Sequence, residues 1–241
     1  MNFFPIVPIN YLNPLAKLSH HHLVLAQWLT NKKYLNFYKK MVERGDMVIL
    51  DNGCNELEKS IPVEELVEWY FRLSNPGILV VPDYNNTDNL KVTRESLEWL
   101  EDWKHISNFS PDLMVVPHSL KDLDEMVKMA VKYIGLNRIM EDYGRVKLIK
   151  EYRNCGKVFH LLGMYRNPIK EVDEVRELGD LVLGIDSKLP YRIVSTGRHV
   201  HEHRPYPEKM DVFQKGLPEE IVEHCVEEFK LYIHWVEKGE W

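Results

Sequence analysis

Residues 180–192 read DLVLGIDSKLPYR. The run DLVLGI is apolar, the pattern of a parallel strand buried on both faces. Asp186 stands where such a strand leaves the core, and Pro190 and Arg192 follow closely. Taken singly, Asp186 reads as a cap for the next turn. A cap does not explain why other strands end in acids too, so the rest of the chain decides. Six more short apolar runs precede it: HLVLAQ (22–27), MVILDNG (47–53), GILVVPDY (77–84), DLMVVPHS (112–119), YIGLNRI (133–139) and KVFHLLGM (157–164). Helical patterns separate them at 30–44, 62–74, 88–104, 120–131, 142–154 and 168–178, and a last one spans 218–237. Before the second of these, Ser60 is placed to cap and Pro62 suits a first turn, while Glu64 and Glu65 favour the positive end of the helix dipole.

Strand–helix alternation at roughly thirty-residue spacing requires parallel strands joined by right-handed crossovers. Seven units are legible, and an eighth strand comes from FFPIV (3–7) or from RIVSTG (192–197). Seven or eight units in 241 residues fit a single-domain (β/α)8 TIM barrel, residues 1–241, better than an open doubly wound sheet. No Gly-x-Gly-x-x-Gly turn follows an early strand, so nothing favours a dinucleotide fold.

A net charge of −6 and a pI of about 6.0 argue against a surface coated in basic residues for nucleic acid. They leave room for a local basic patch, because association depends on the field near the site. No apolar run is long enough to cross a bilayer, so no membrane partner is expected. The start, MNFFPIVPIN, lacks the pattern of a signal peptide, and Cys54, Cys155 and Cys225 form no Cys-x-x-Cys pair. The expected location is the cytoplasm, which includes that of a phage-infected host.

In such a barrel, chemistry gathers at the carboxyl ends of the strands. Those ends read Asp51-Asn52-Gly53, Pro82-Asp83-Tyr84, Pro117-His118-Ser119, Arg138, Leu162-Gly163-Met164 and Asp186-Ser187. Three carboxylates at one mouth raise each other's pKa, a cost that folding alone does not demand. The set suits a division of labour in which one carboxylate attacks, one shuttles a proton and one reads donors on a ligand. Guanine fits that set, because its N1–H and exocyclic amine suit a carboxylate while its O6 wants donors.

With these residues in order, the chain resembles the tRNA-guanine transglycosylase superfamily. It looks most like the short phage-type members that insert 7-deazaguanine bases into DNA. The family's nucleophile motif, Asp-x-x-Leu-Pro-x-Arg, is matched by Asp186-Ser187-Lys188-Leu189-Pro190-Tyr191-Arg192. A Ser-x-Gly-Arg-like element is echoed by Ser195-Thr196-Gly197-Arg198, and the family's Asp-Ser-Gly-Gly-Phe segment by Asp51-Asn52-Gly53-Cys54-Asn55. The family's base-reading aspartate falls on Asp83, and order and spacing agree from about residue 47 to 198. His118 stands where the family has a glutamine, and Leu161-Leu162-Gly163 matches its Gly-Leu backbone contact loosely. The Cys-x-Cys-x-x-Cys plus His zinc motif of the tRNA enzymes has no counterpart, so no metal or other cofactor is expected, and DNA is favoured over tRNA as substrate.

The resemblance implies replacement of guanine in DNA by a 7-deazaguanine such as the 7-cyano form. Asp186 is then the nucleophile and Asp51 the general acid and base. Asp83 reads the base, His118 and Gly163 face O6, and Leu162, Asn52, Gly53 and Tyr84 line the pocket. Tyr84 suits stacking on a base or simple packing equally well. The alternatives are the same chemistry on tRNA, as in the queuine-type enzymes, or a non-catalytic barrel that binds deazaguanine or nucleic acid. A helper protein or a homo-oligomer that brings DNA is compatible with the acidic charge.

Lys188, Arg192, Arg198 and Arg204 follow the nucleophile and read as a phosphate-holding rim. His199, His201 and His203 alternate, but Glu202 points away from their face in an extended chain, so a solvated loop is the expectation there. His20-His21-His22 opens a strand, and His22 reads as a structural histidine at the barrel floor.

Overall fold

The computed structural model of the chain describes residues 1–84, 88–104, 109–164, 168–194, 199 and 218–240. Eight parallel strands share one sheet: β1 (Asn2–Pro5), β2 (His21–Leu25), β3 (Met47–Asp51), β4 (Ile78–Val80), β5 (Asp112–Val115), β6 (Tyr133–Leu136), β7 (Val158–Leu161) and β8 (Val182–Ser187). Their order is β1-β8-β7-β6-β5-β4-β3-β2, and β1 lies beside β2, so the sheet curls into a nearly closed (β/α)8 TIM barrel. Helices fall between strands at Lys32–Glu43, Val63–Arg72, Asn89–Lys104, Leu120–Met126, Arg145–Glu151 and Pro168–Arg176. Two more follow β8, Leu189–Val194 and the last helix, Glu219–Lys238.

Of the two candidates for the eighth strand, the amino-terminal one is correct. Phe3, Phe4 and Pro5 pair with Ile185, Asp186 and Ser187. Glycine at 184 makes this docking feasible, because a Cβ there would lie 2.2 Å from the Asn2 carbonyl oxygen. The other candidate fails because Arg192–Val194 continue a helix whose second residue is Pro190. Proline suits a helix start, where its missing N–H costs nothing. Ser60 does not cap its helix either. That helix begins at Val63 with Pro62 as its extended N-cap and no side-chain capping bond, although Glu64 and Glu65 do occupy the first turn.

Alternation along the strands builds two apolar layers. Phe4, Leu23, Leu25, Ile49, Val80 and Met114 fill the barrel interior. A larger cluster, including Val24, Val48, Leu50, Leu79 and Val115, lies between the sheet and the helices. Each fully buried aliphatic side chain contributes on the order of 2 kcal/mol, so these layers hold the barrel together. His22 belongs to the outer layer, not the barrel floor. Its ring meets Tyr38 edge-on at 5.5 Å, and its Nε2 is 2.9 Å from Asp46 Oδ2. Among the described residues no helix is long and apolar enough to cross a membrane.

Candidate active site

The strands stop where the sequence changes from apolar to polar, and the residues just beyond them converge on the carboxyl-terminal mouth. Asp51 is the last residue of β3. Its Oδ2 accepts the Gly53 N–H at 3.0 Å, and the Asn52 side-chain oxygen accepts the Cys54 N–H at 2.9 Å. Gly53 has φ +77°, and a Cβ there would lie 2.8 Å from Gln27 Oε1. Glycine at 53 is therefore favoured by the left-handed backbone, and it lets the Gln27 amide approach closely.

Asn52 and His118 share Asp83. Asn52 Nδ2 donates to Asp83 Oδ1 at 2.6 Å and to the Val81 carbonyl at 2.8 Å. His118 Nε2 lies 2.5 Å from Asp83 Oδ2. The tautomer of His118 follows from Asn137. Asn137 Oδ1 accepts the Ile139 N–H at 3.0 Å, which turns its Nδ2 toward His118 Nδ1, 3.3 Å away. His118 Nδ1 is thus an acceptor, and its proton sits on Nε2 and points at Asp83. In this arrangement His118 orients the carboxylate of Asp83.

Asp186 is 4% exposed, and its Oδ1 lies 3.2 Å from His160 Nε2. His160 Nδ1 is buried with no hydrogen-bond partner among the described residues, so the shared proton belongs on Nε2. The ring of His160 is held edge-on against Phe4 at 5.1 Å. The reading of Asp186 as a helix cap fails on a specific contact. The Ser187 hydroxyl accepts the Leu189 N–H at 2.9 Å and caps that turn, while Asp186 faces inward.

The three acids feel one another. Burial pushes the Asp51 carboxyl well above the usual carboxylate range, and the charges of Glu56, Asp83 and Asp186 add to the shift. The Gly53 N–H pulls the other way. Lys188 lies 2.5 Å from Glu56, so the first cation of the anticipated rim forms an ion pair beside the mouth. Arg192 is half-buried on the helix after β8, where its N–H bonds the Lys188 carbonyl at 3.1 Å. Arg198 and Arg204, like His201 and His203, lie outside the described residues.

Leu162 and Gly163 stand at the end of β7, with Gly163 at φ +74°. Arg145, 1% exposed, holds them. Its guanidinium donates to the carbonyls of Leu136 and Leu162 at 3.1 Å and of Gly163 at 3.0 Å, and pairs with Glu171. Tyr84 is half-buried, and its N–H bonds Asn89 Oδ1 at 3.0 Å.

Gln27, Glu56, Asn137 and His160 join the site without having been singled out from the sequence. His160 was legible in principle, since it alternates with Leu162 along KVFHLLGM. Asn137 follows β6 directly, and Gln27 lies two residues beyond β2. Glu56 is the first acid after Asp51-Asn52-Gly53 and sits on the short helix Cys54–Leu57, close enough to Asp51 to raise its carboxyl. Gln27 is notable because both side-chain amide atoms are buried and neither has a hydrogen-bond partner among the described residues. No family model and no curated protein matches the chain.

Proposed function

We propose that the protein is a base-exchange transglycosylase that replaces guanine in DNA with a 7-deazaguanine, through an ester between Asp186 and the sugar. The observation that carries this reading is the convergence of Asp51, Asp83 and Asp186 at one mouth, with the Asp51 carboxyl driven upward by burial and by the other acids. A carboxyl whose proton affinity is raised by burial and by neighbouring acids is suited to hand a proton to a leaving group.

In this reading a carboxylate oxygen of Asp186 bonds to C1′ as the C1′–N9 bond breaks, and the electron pair leaves with guanine. Asp51 supplies the proton that makes guanine neutral. The incoming deazaguanine then gives its N9 proton to Asp51, and N9 attacks C1′. The ester C–O bond breaks, its electrons return to Asp186, and two displacements retain configuration. The anionic Asp186 also stabilises the oxocarbenium-like charge that develops at C1′. Asp83, held from two sides by Asn52 and His118, still has lone pairs for N1–H and the amine. With the His118 proton committed, the unpartnered Gln27 amide is a nearby donor for a bound base. In duplex DNA the target guanine must first leave the stack.

The test is release of labelled guanine from DNA when 7-cyano-7-deazaguanine is added to the pure protein. Release is expected from DNA and is expected to be slower from tRNA. Asp186→Asn is expected to abolish both release and a trapped covalent adduct. Normal exchange by Asp186→Asn would overturn the nucleophile assignment. A folded protein that releases label from neither polymer would overturn the activity.

A further inference from the structure

The acid that completes a histidine cluster in this protein comes from the last helix. His224 and Glu228 stand four positions apart on Glu219–Lys238, so they share a face. His199 meets that face. Its Nδ1 lies 2.8 Å from Glu228 Oε1, and its ring meets that of His224 edge-on at 5.3 Å and 83°. One ligand atom from each of the three lies within 4.8 Å of the others. We propose that His199, His224 and Glu228 bind a divalent transition-metal ion of the zinc type.

The ligand chemistry supports this. Two imidazoles and a carboxylate suit zinc, cobalt or nickel, whose bonds to such atoms run about 2.0–2.2 Å. Small side-chain rotations bring atoms at the observed spacing onto one ion. The proton now shared by His199 and Glu228 leaves as the metal enters, because each ligand binds in its deprotonated form. Glu228 is 6% exposed, and a carboxylate so buried is stabilised by a bound cation. His199 is exposed and His224 half-buried, which leaves an approach for the ion and room for water as a fourth ligand. The ion ties residue 199, on the chain that follows Asp186, to a helix that packs on β1 and on Leu189–Val194. Its role is to fasten His199 to that helix, and the site stands whether or not the base-exchange reading does.

The experiment uses the full chain, stripped with a chelator and titrated with Zn²⁺ and separately with Co²⁺. One equivalent should bind, with a Co²⁺ absorption spectrum of a four- or five-coordinate ion and a rise in Tm. His224→Ala and Glu228→Gln should each weaken binding by at least roughly tenfold. His199→Ala removes an exposed side chain, so it should fold normally by circular dichroism and still lose affinity. His20→Ala, at the opposite end of the barrel, should bind as the parent does. A folded parent that takes up no ion at micromolar concentration would overturn the proposal. So would undiminished binding by all three ligand variants, or loss of binding by His20→Ala alone.

Discussion

Two aspartates bracket strand β3, and they titrate in opposite directions. Asp46 precedes the strand at the amino-terminal end of the barrel, and Asp51 closes it at the mouth. Asp46 meets donors. His20 Nδ1 and His22 Nε2 each lie 2.9 Å from it, and Arg44 Nε reaches its two oxygens at 3.0 and 3.1 Å. Burial acts to raise the Asp46 carboxyl, but hydrogen bonds from Arg44, His20 and His22 outweigh it and bring it down to about 2. Asp51 meets one backbone N–H and several like charges, and its carboxyl is driven up. Residue type and strand are the same, so neighbours make the difference. At the amino-terminal end Asp46 is surrounded by donors that hold its charge, while at the mouth Asp51 faces Glu56, Asp83 and Asp186, which oppose it.

The comparison breaks most visibly at Asp46. Asp46→Ala leaves the buried His22 without its acceptor and removes the bonds to Arg44 and His20, and is expected to cost about 3 kcal/mol, or roughly 9 °C in Tm. A melting curve that moves by less than a few degrees would show that the paired end is not what stabilises the barrel.

The next effect is acid lability. Burial brings His22 down from 6.5 to about 4, against the pull of Asp46. Between those values the unfolded chain binds the proton and the folded one does not, so stability falls as pH drops from 6.5 to 4, by about 3 kcal/mol. Asp46 adds a further loss as pH falls from 3.8 toward 2. Denaturant titrations across this range should show both steps, and His22→Gln should remove the first.

At the mouth the sign reverses. A carboxyl raised in the folded state stabilises only below its unfolded pKa, and that contribution is lost as pH rises through the folded value. Asp51→Asn keeps an acceptor for the Gly53 N–H and removes the opposed charge. It should gain on the order of 1 kcal/mol at neutral pH, or about 3 °C, while guanine exchange falls roughly 10²–10⁴-fold. A variant that loses stability would contradict the account of Asp51.

The smallest effect should come from Glu56→Gln, with stability changing by no more than about 0.5 kcal/mol. Glu56 is the foremost charge raising Asp51, so its removal lowers the Asp51 carboxyl. Exchange that needs a protonated Asp51 should then fail at lower pH than in the parent. An unmoved profile would separate Glu56 from the chemistry.

Much of this was legible in the sequence because barrel strands end abruptly. MVILD, GILVVPD and DLVLGID each change from apolar to acidic at or within three residues of the strand end. That change placed Asp51, Asp83, Asp186 and His118 at one end of the sheet. The roles were less legible than the places. The tautomer of His118 depends on Asn137 across the mouth, and the choice between Asp186 and Ser187 as cap depends on a single 2.9 Å contact. The eighth strand was ambiguous because FFPIV and RIVSTG are both short runs with β-branched residues, and pairing with β8 selects the first.

The sequence by itself determined the periodic pattern, and with it the strands, the helices and the end of the barrel at which polar residues gather. Periodicity is a local property of the chain, written within a few residues of each element. Tertiary structure alone decided which charges face each other: Glu56 with Lys188, His160 with Asp186, and His199 with Glu228. Electrostatic energy depends on distance in space, and residues far apart in the chain acquire that distance only when the barrel closes.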